Sequence, residues 1–297
     1  MKRTCIAILL IALCSVSALA QTEIAPPADG SGNGDSNFSA GDASLYRHGG
    51  PVMPNAKVVY IFWGDVSPVY AKDLQYYRTV YGGMGSHMAM LAQYSAPQGS
   101  LVGSQADVFD PTPPPVMMTI SQVGAEVRKW FAGRYDNNAI YTVILPAGHY
   151  LDFDGSGFET TCGSPHPNTC STHWVFHDSP GSGTYVKFSL IGYPDCSRCR
   201  HSAAGANGLM IPANDSQNAE IALIHATRGA ITDPLPGTGW LDSGIGGYFL
   251  LEGDQKCEAA VFRSIVPGGP YDTGNYYPIQ TFYFQRTWSN YAYACVE

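Results

Sequence analysis

The sequence predicts a layered α/β (α+β) domain: a mixed central sheet with flanking helices, cross-linked by disulfides. Three observations predict it. Short apolar runs rich in β-branched and aromatic residues, 56–64 ("AKVVYIFWG") and 139–148 ("AIYTVILPAG"), read as buried strands. Segments with helical spacing lie between such strands, as a layered sheet requires. Six cysteines follow an export-type amino terminus, the setting in which disulfides form and persist.

From the amino terminus, Lys2 and Arg3 precede an apolar run from Cys5 to Leu13 and then "SVSALA". A charged stretch, an apolar stretch and small residues before a cleavage point make residues 1–20 a signal peptide, cut near Ala20. Leu13 before Cys14 is not the small residue that lipid attachment favours. Residues 21–44 are Gly, Ser, Pro and Asp with little apolar content, so they read as a flexible leader. Composition is then uniform over 45–297, with no second linker and no internal repeat, which predicts a single domain with one large core.

Within that domain the strand at 56–64 comes first. "YAKDLQYYRTVYGGMGSHMAMLAQYSA" holds one or two helices broken near Gly82 and Gly83. "SQVGAEVRKWFAG" places Val123, Val127, Trp130 and Phe131 at helical spacing, with Ser121 as the expected cap. The strand at 139–148 follows. "HWVFH" and "TYVKFSLIG", joined by "DSPGSG", form a hairpin. A long helix capped by Asp215 or Ser216 carries "AEIALIHATRGAITDP", whose apolar residues are expected on one side. A zincin shares this order, with an edge strand before its metal helix.

Charge excludes one class of partner. The formal charge is −8 and becomes more negative by two when Lys2 and Arg3 leave, so nothing neutralises nucleic-acid phosphates. After the signal region no apolar run is long enough to span a membrane. No G-x-S-x-G elbow, phosphate loop or dinucleotide fingerprint occurs. The even set Cys162, Cys170, Cys196, Cys199, Cys257 and Cys295 implies up to three bridges. Sequence proximity suggests 162–170, 196–199 and 257–295.

Zinc peptidases present H-E-x-x-H on a helix: two ligands one turn apart and a Glu base between them. Here His225 stands in the first place, but Ala226 fills the base position and Gly229 the second ligand position. A satisfied buried histidine is the plainer reading, and a zinc site built from His225, Asp233 and Asp242 is the alternative. In "LDFDGSGFE", Asp152, Asp154 and Ser156 occupy the first, third and fifth places of a calcium loop. The twelfth place is Gly163 rather than Glu, and an acidic glycine turn is also ordinary punctuation. His173 and His177 lie on one face of a strand. The tail "YDTGNYYPIQTFYFQRTWSNYAYACV" is dense in aromatics, which suit strand cores first and sugar stacking second.

Several stretches, in order, resemble the EXORDIUM or phosphate-induced protein 1 family: "YRHGGPVMPNAKVVYIFWGDVS", "YTVILPAGHYLDFDGSGFETTCGSPH", "VKFSLIGYPDCSRC", "NGLMIPANDSQNAEIALIHATRGAITDPLPGTGWLD" and "FYFQRTWSNYAYACV". The resemblance spans 46–297. Microbial members often carry "HExxEaiTDPxxxGWxDxxGxEIGDxC". His225, the Ile231–Pro234 turn, Gly239, Trp240, Asp242, Gly253 and Asp254 match it, while Ala226 and Gly229 replace the two glutamates. The plant members also lack the H-E motif, and resemblance to them implies a secreted cell-wall protein linked to growth signalling. The expected function is that of a secreted protein, extracellular or periplasmic, acting without catalysis through binding to a glycan or cell-envelope component. No catalytic residue and no cofactor are expected under that reading. The alternative is a divergent metal-dependent, peptidase-like hydrolase that uses His225 and nearby acids, with zinc or calcium as its ion.

Overall fold

The structure, a computed structural model, describes residues 45–83, 88–152, 160–162, 167–179, 181–204, 209–241, 257, 261–267, 279–292 and 294–296. The expected signal peptide and leader, residues 1–44, lie outside them, as do Asp154, Ser156, His166 and Asp242.

Strand β1 (Lys57–Trp63) carries the logic of the central sheet. Side chains alternate across a strand, and here both sets are apolar. Val58, Tyr60 and Phe62 face one core, and Val59, Ile61 and Trp63 face another. Both faces are therefore covered, which is why the run reads as continuous hydrophobics rather than as an alternation.

Helix α1 (Pro68–Gly83) follows, then β2 (Val108–Asp110), α2 (Ile120–Phe131), β3 (Ala139–Ile144), β4 (Ser171–His177) and β5 (Tyr185–Ile191). The sheet order is β2-β1-β3-β5-β4. The first four strands are parallel and β4 is antiparallel to β5 at the edge, so the sheet is mixed as expected. The predicted hairpin is β4–β5, with His177 opposite Tyr185. Helix α2 packs Val123, Val127 and Phe131 on one face. Helix α1 and helix α3 (Asp215–Thr232) cover the other. Beyond α3 a second layer begins, the antiparallel pair β6 (Val261–Pro267) and β7 (Ile279–Gln285).

Three expectations are corrected here. The cap of α2 is Thr119, not Ser121: its Oγ1 accepts from Gln122 N–H, and Gln122 Oε1 accepts from Thr119 N–H. The cap of α3 is Asn214, not Asp215 or Ser216, in the same reciprocal box with Gln217. In each case a Gln three residues on supplied the signal. The third correction concerns two of the bridges, which pair Cys162 with Cys196 and Cys170 with Cys199; Cys257 pairs with Cys295 as expected. Hairpin register is the reason for the first two. Ser171 lies opposite Ile191 and Gly192 N–H donates to Cys170 O, so the entry to β4 sits beside the exit of β5.

Candidate functional site

Helix α3 was expected to bury one side. Instead every residue from Asn218 to Thr232 except His225 is buried, because α1, the β4–β5 edge and β7 surround the helix. Ala226 is 1 % exposed and Gly229 is buried, so the positions that would hold a base and a second ligand are core positions. His225 is half-buried, and its Nδ1 lies 3.1 Å from Gln285 Oε1 on β7. Arg228, one turn on and fully buried, donates from Nη1 to Gln285 O at 2.7 Å and from Nε to Tyr81 Oη at 3.0 Å. Gln285 thus receives both His225 and Arg228 and ties α3 to the second layer. Sequence reading missed Arg228 and Gln285. An arginine inside an apolar helical run was the available signal, since a buried charge demands partners.

Asp233 ends the helix, and its carboxylate closes a turn. It accepts from Gly237 N–H at 2.6 Å, Thr238 N–H at 3.0 Å and Gly239 N–H at 2.6 Å. Gly239 allows the approach: a Cβ there would lie 2.2 Å from Thr232 O. The backbone O of Asp233 lies 3.1 Å from His173 Nε2. His225 and Asp233 are thus not gathered around one point; each is occupied by its own neighbours. His173 and His177 are likewise separate, since His177 Nδ1 contacts Ser182 O and its ring lies 4.5 Å from Tyr185. Asp152 of the expected calcium loop is buried, and Asp154 and Ser156 lie outside the described residues. Among the described residues, the group with metal-ligand spacing is Cys162, Cys196 and Cys199, whose sulfurs are in bridges.

Glu220 is buried on α3 and accepts from Tyr283 N–H at 3.0 Å. Burial raises its pKa well above the ordinary carboxyl value, and the charge of Asp73 adds to this. The Tyr283 bond opposes it.

A second charged cluster lies at the carboxyl ends of β1 and β2, the edge where open α/β sheets bind ligands. Asp110 accepts from Thr112 N–H and Oγ1 at 2.9 and 2.7 Å, and from Lys129 Nζ. Glu126 Oε1 accepts from Trp130 Nε1 at 2.6 Å, and its carboxyl lies within hydrogen-bonding reach of Asp110. Burial raises Glu126 from 4.5 to about 7, helped by the bond to Asp110 and opposed by Trp130 and Lys129. Burial raises Asp110 too, but Lys129 and Thr112 outweigh it and hold the group well below the usual carboxylate range. Two acids pushed apart in this way are the usual mark of an acid–base pair. Here both carboxyl groups are buried, Asp110 at 2 % and Glu126 at 4 % exposure. The pair therefore acts as a buried tie between β2 and α2.

An open cleft of about 280 Å³ lies at the opposite edge, where the parallel strands begin. Asn137, Asn138, Tyr185, Lys187, Pro51 and Pro234 help to line it. Lys187 Nζ donates to Asn137 O at 2.8 Å, and burial lowers its pKa below the ordinary lysine value. Of the aromatic tail, Phe282, Tyr283, Phe284 and Trp288 are buried and Tyr291 is exposed. No helix among the described residues is long and apolar enough to cross a membrane. Compared with family models, curated proteins and solved structures, the chain matches none.

Proposed function

We infer that this chain is an exported, non-catalytic binding protein of the EXORDIUM type, acting on a glycan or cell-envelope component. One observation carries the reading: the turn after His225 holds a methyl group and a bare α-carbon in the core, so the helix itself supplies neither a base nor a second ligand beside the imidazole. The three bridges support export. The open cleft supports binding, since the Tyr185 ring, amide side chains and an ammonium suit a sugar's apolar face and hydroxyls. The test is a screen of the purified protein against cell-wall polysaccharides, repeated with Tyr185→Ala. Saccharide binding that falls at least tenfold in the variant supports the reading. An empty screen removes the glycan.

A second reading, a divergent metal-dependent hydrolase, draws on the same histidine. An Nδ1 fixed by a neighbour is the arrangement in which metal-ligating imidazoles present Nε2. Stoichiometric zinc in the purified protein, lost in His225→Ala, would select this reading over the first.

A further inference from the structure

The first two bridges meet. Cys162 Sγ lies 3.1 Å from Cys199 Sγ, although each is bonded to a different partner. The sulfurs of Cys162, Cys196 and Cys199 all lie within 4.8 Å of one another. Exposure is graded across the set. Cys199 is 1 % exposed and Cys162 9 %, whereas Cys196 and Cys170 are half-buried. Cys196 opens the short turn Ser197–Cys199, between exposed Asp195 and Ser197. Arg198 and Arg200 follow it, and cationic neighbours stabilise thiolates and attract anionic thiols.

We propose that these two bridges form a thiol–disulfide relay, in which a small anionic monothiol of the glutathione class is captured on Cys196 and a thiol emerges at Cys170. Exchange proceeds by attack of a thiolate on a disulfide sulfur. The incoming thiolate bonds to Cys196 Sγ; the Cys162–Cys196 bond breaks and its electron pair leaves on Cys162 Sγ. That thiolate already touches Cys199 Sγ and attacks it. The Cys170–Cys199 bond breaks, and Cys170 Sγ leaves with the pair and takes a proton from water. One thiol and two disulfides enter, two S–S bonds break and two form, and one thiol and two disulfides leave, so the oxidation level is unchanged. The products are a mixed disulfide on Cys196, a Cys162–Cys199 bridge and a free Cys170 thiol. Cys257–Cys295, outside this sulfur cluster, takes no part.

The experiment uses the intact oxidised protein and reduced glutathione in native buffer, with acid quench, alkylation and mass-spectrometric mapping. The expected result is glutathione on Cys196, a Cys162–Cys199 cross-link as the dominant new bridge, and the alkyl group on Cys170. Alkylated Cys162 beside an intact Cys170–Cys199 bridge would overturn the relay, as would glutathione on any other cysteine of the set. The same mapping in denaturant, where the sulfurs separate, should lose the preference for Cys162–Cys199. An equal yield folded and unfolded would also sink the proposal.

Discussion

Replacing Glu126 by Gln tests the buried acid pair, because Gln reproduces the protonated carboxyl. Its Nε2–H can donate to Asp110 and its Oε1 can accept from Trp130, so both bonds of the protonated acid survive. The sign follows from linkage. Glu126 titrates at about 7 when folded and near 4.5 when unfolded. Between those values the unfolded chain has released a proton that the folded chain still holds. Stability therefore falls as pH rises from 4.5 to 7 and is level above that. At 1.36 kcal/mol per unit the ceiling is about 3 kcal/mol; Lys129 reaches solvent and screens the site, so ~1.5–3 kcal/mol is expected. Asp110 works in the other window. Its depressed value adds stability that is present above the ordinary carboxyl range and lost as pH falls below it. Both proteins share that loss, so it cancels in the difference. Urea denaturation of wild type and Glu126→Gln at a series of pH values reads the quantity directly. The variant should gain on the wild type across pH 4.5–7. A difference constant to within ~0.5 kcal/mol from pH 4 to 8 would refute the proton held by Glu126 and the account of the cluster built on it.

Glu220→Gln should leave the fold intact and raise the thermal midpoint at pH 8 more than at pH 4, since burial already disfavours the charged form. Asp233→Ala removes the acceptor for three backbone N–H groups and should lower stability by about 3 kcal/mol or more, read by denaturant titration. Ala226→Glu restores the missing base by letter only. A carboxylate in that packed position should cost at least ~3 kcal/mol, and a peptidase assay of the variant should remain blank.

The sheet was legible where residues repeat with a period or run without interruption. β1, β3 and the β4–β5 hairpin stand where the apolar runs and the "DSPGSG" turn put them. Caps slipped by one or two residues because Ser121, Asp215 and Ser216 suit a cap by residue type alone; the reciprocal Gln122 and Gln217 decide the position. Proximity along the chain gave Cys257–Cys295 but not the other two pairings, because it says nothing about a hairpin register that brings Cys170 to Gly192. The Asp110–Glu126 pair was not legible either. Its members come from β2 and from α2, and only packing of the helix on the sheet sets them side by side. Arg228 was visible as a charge in an apolar run, but its partners Tyr81 and Gln285 are 147 and 57 residues away.

The fate of α3 follows from how much surrounds it. A helix that presents reactive groups to a cleft keeps one face uncovered and shows a narrow apolar stripe. α3 is enclosed by α1, by the sheet edge and by β7, so its polar residues must find partners inside the protein. Four of them do: Asn218 donates to Ala213 O and Asn214 O, Glu220 accepts from Tyr283, Arg228 donates to Tyr81 and Gln285, and Thr232 donates to Arg228 O, whereas Thr227 Oγ1 has no partner among the described residues. Polar content in this helix therefore serves attachment of the second layer. His225 alone between Asn218 and Thr232 escapes full burial, and one ring nitrogen is already given to that attachment. Catalysis at this point would need its remaining chemistry from outside the helix, whereas the H-E-x-x-H design draws both its base and its second ligand from within one turn.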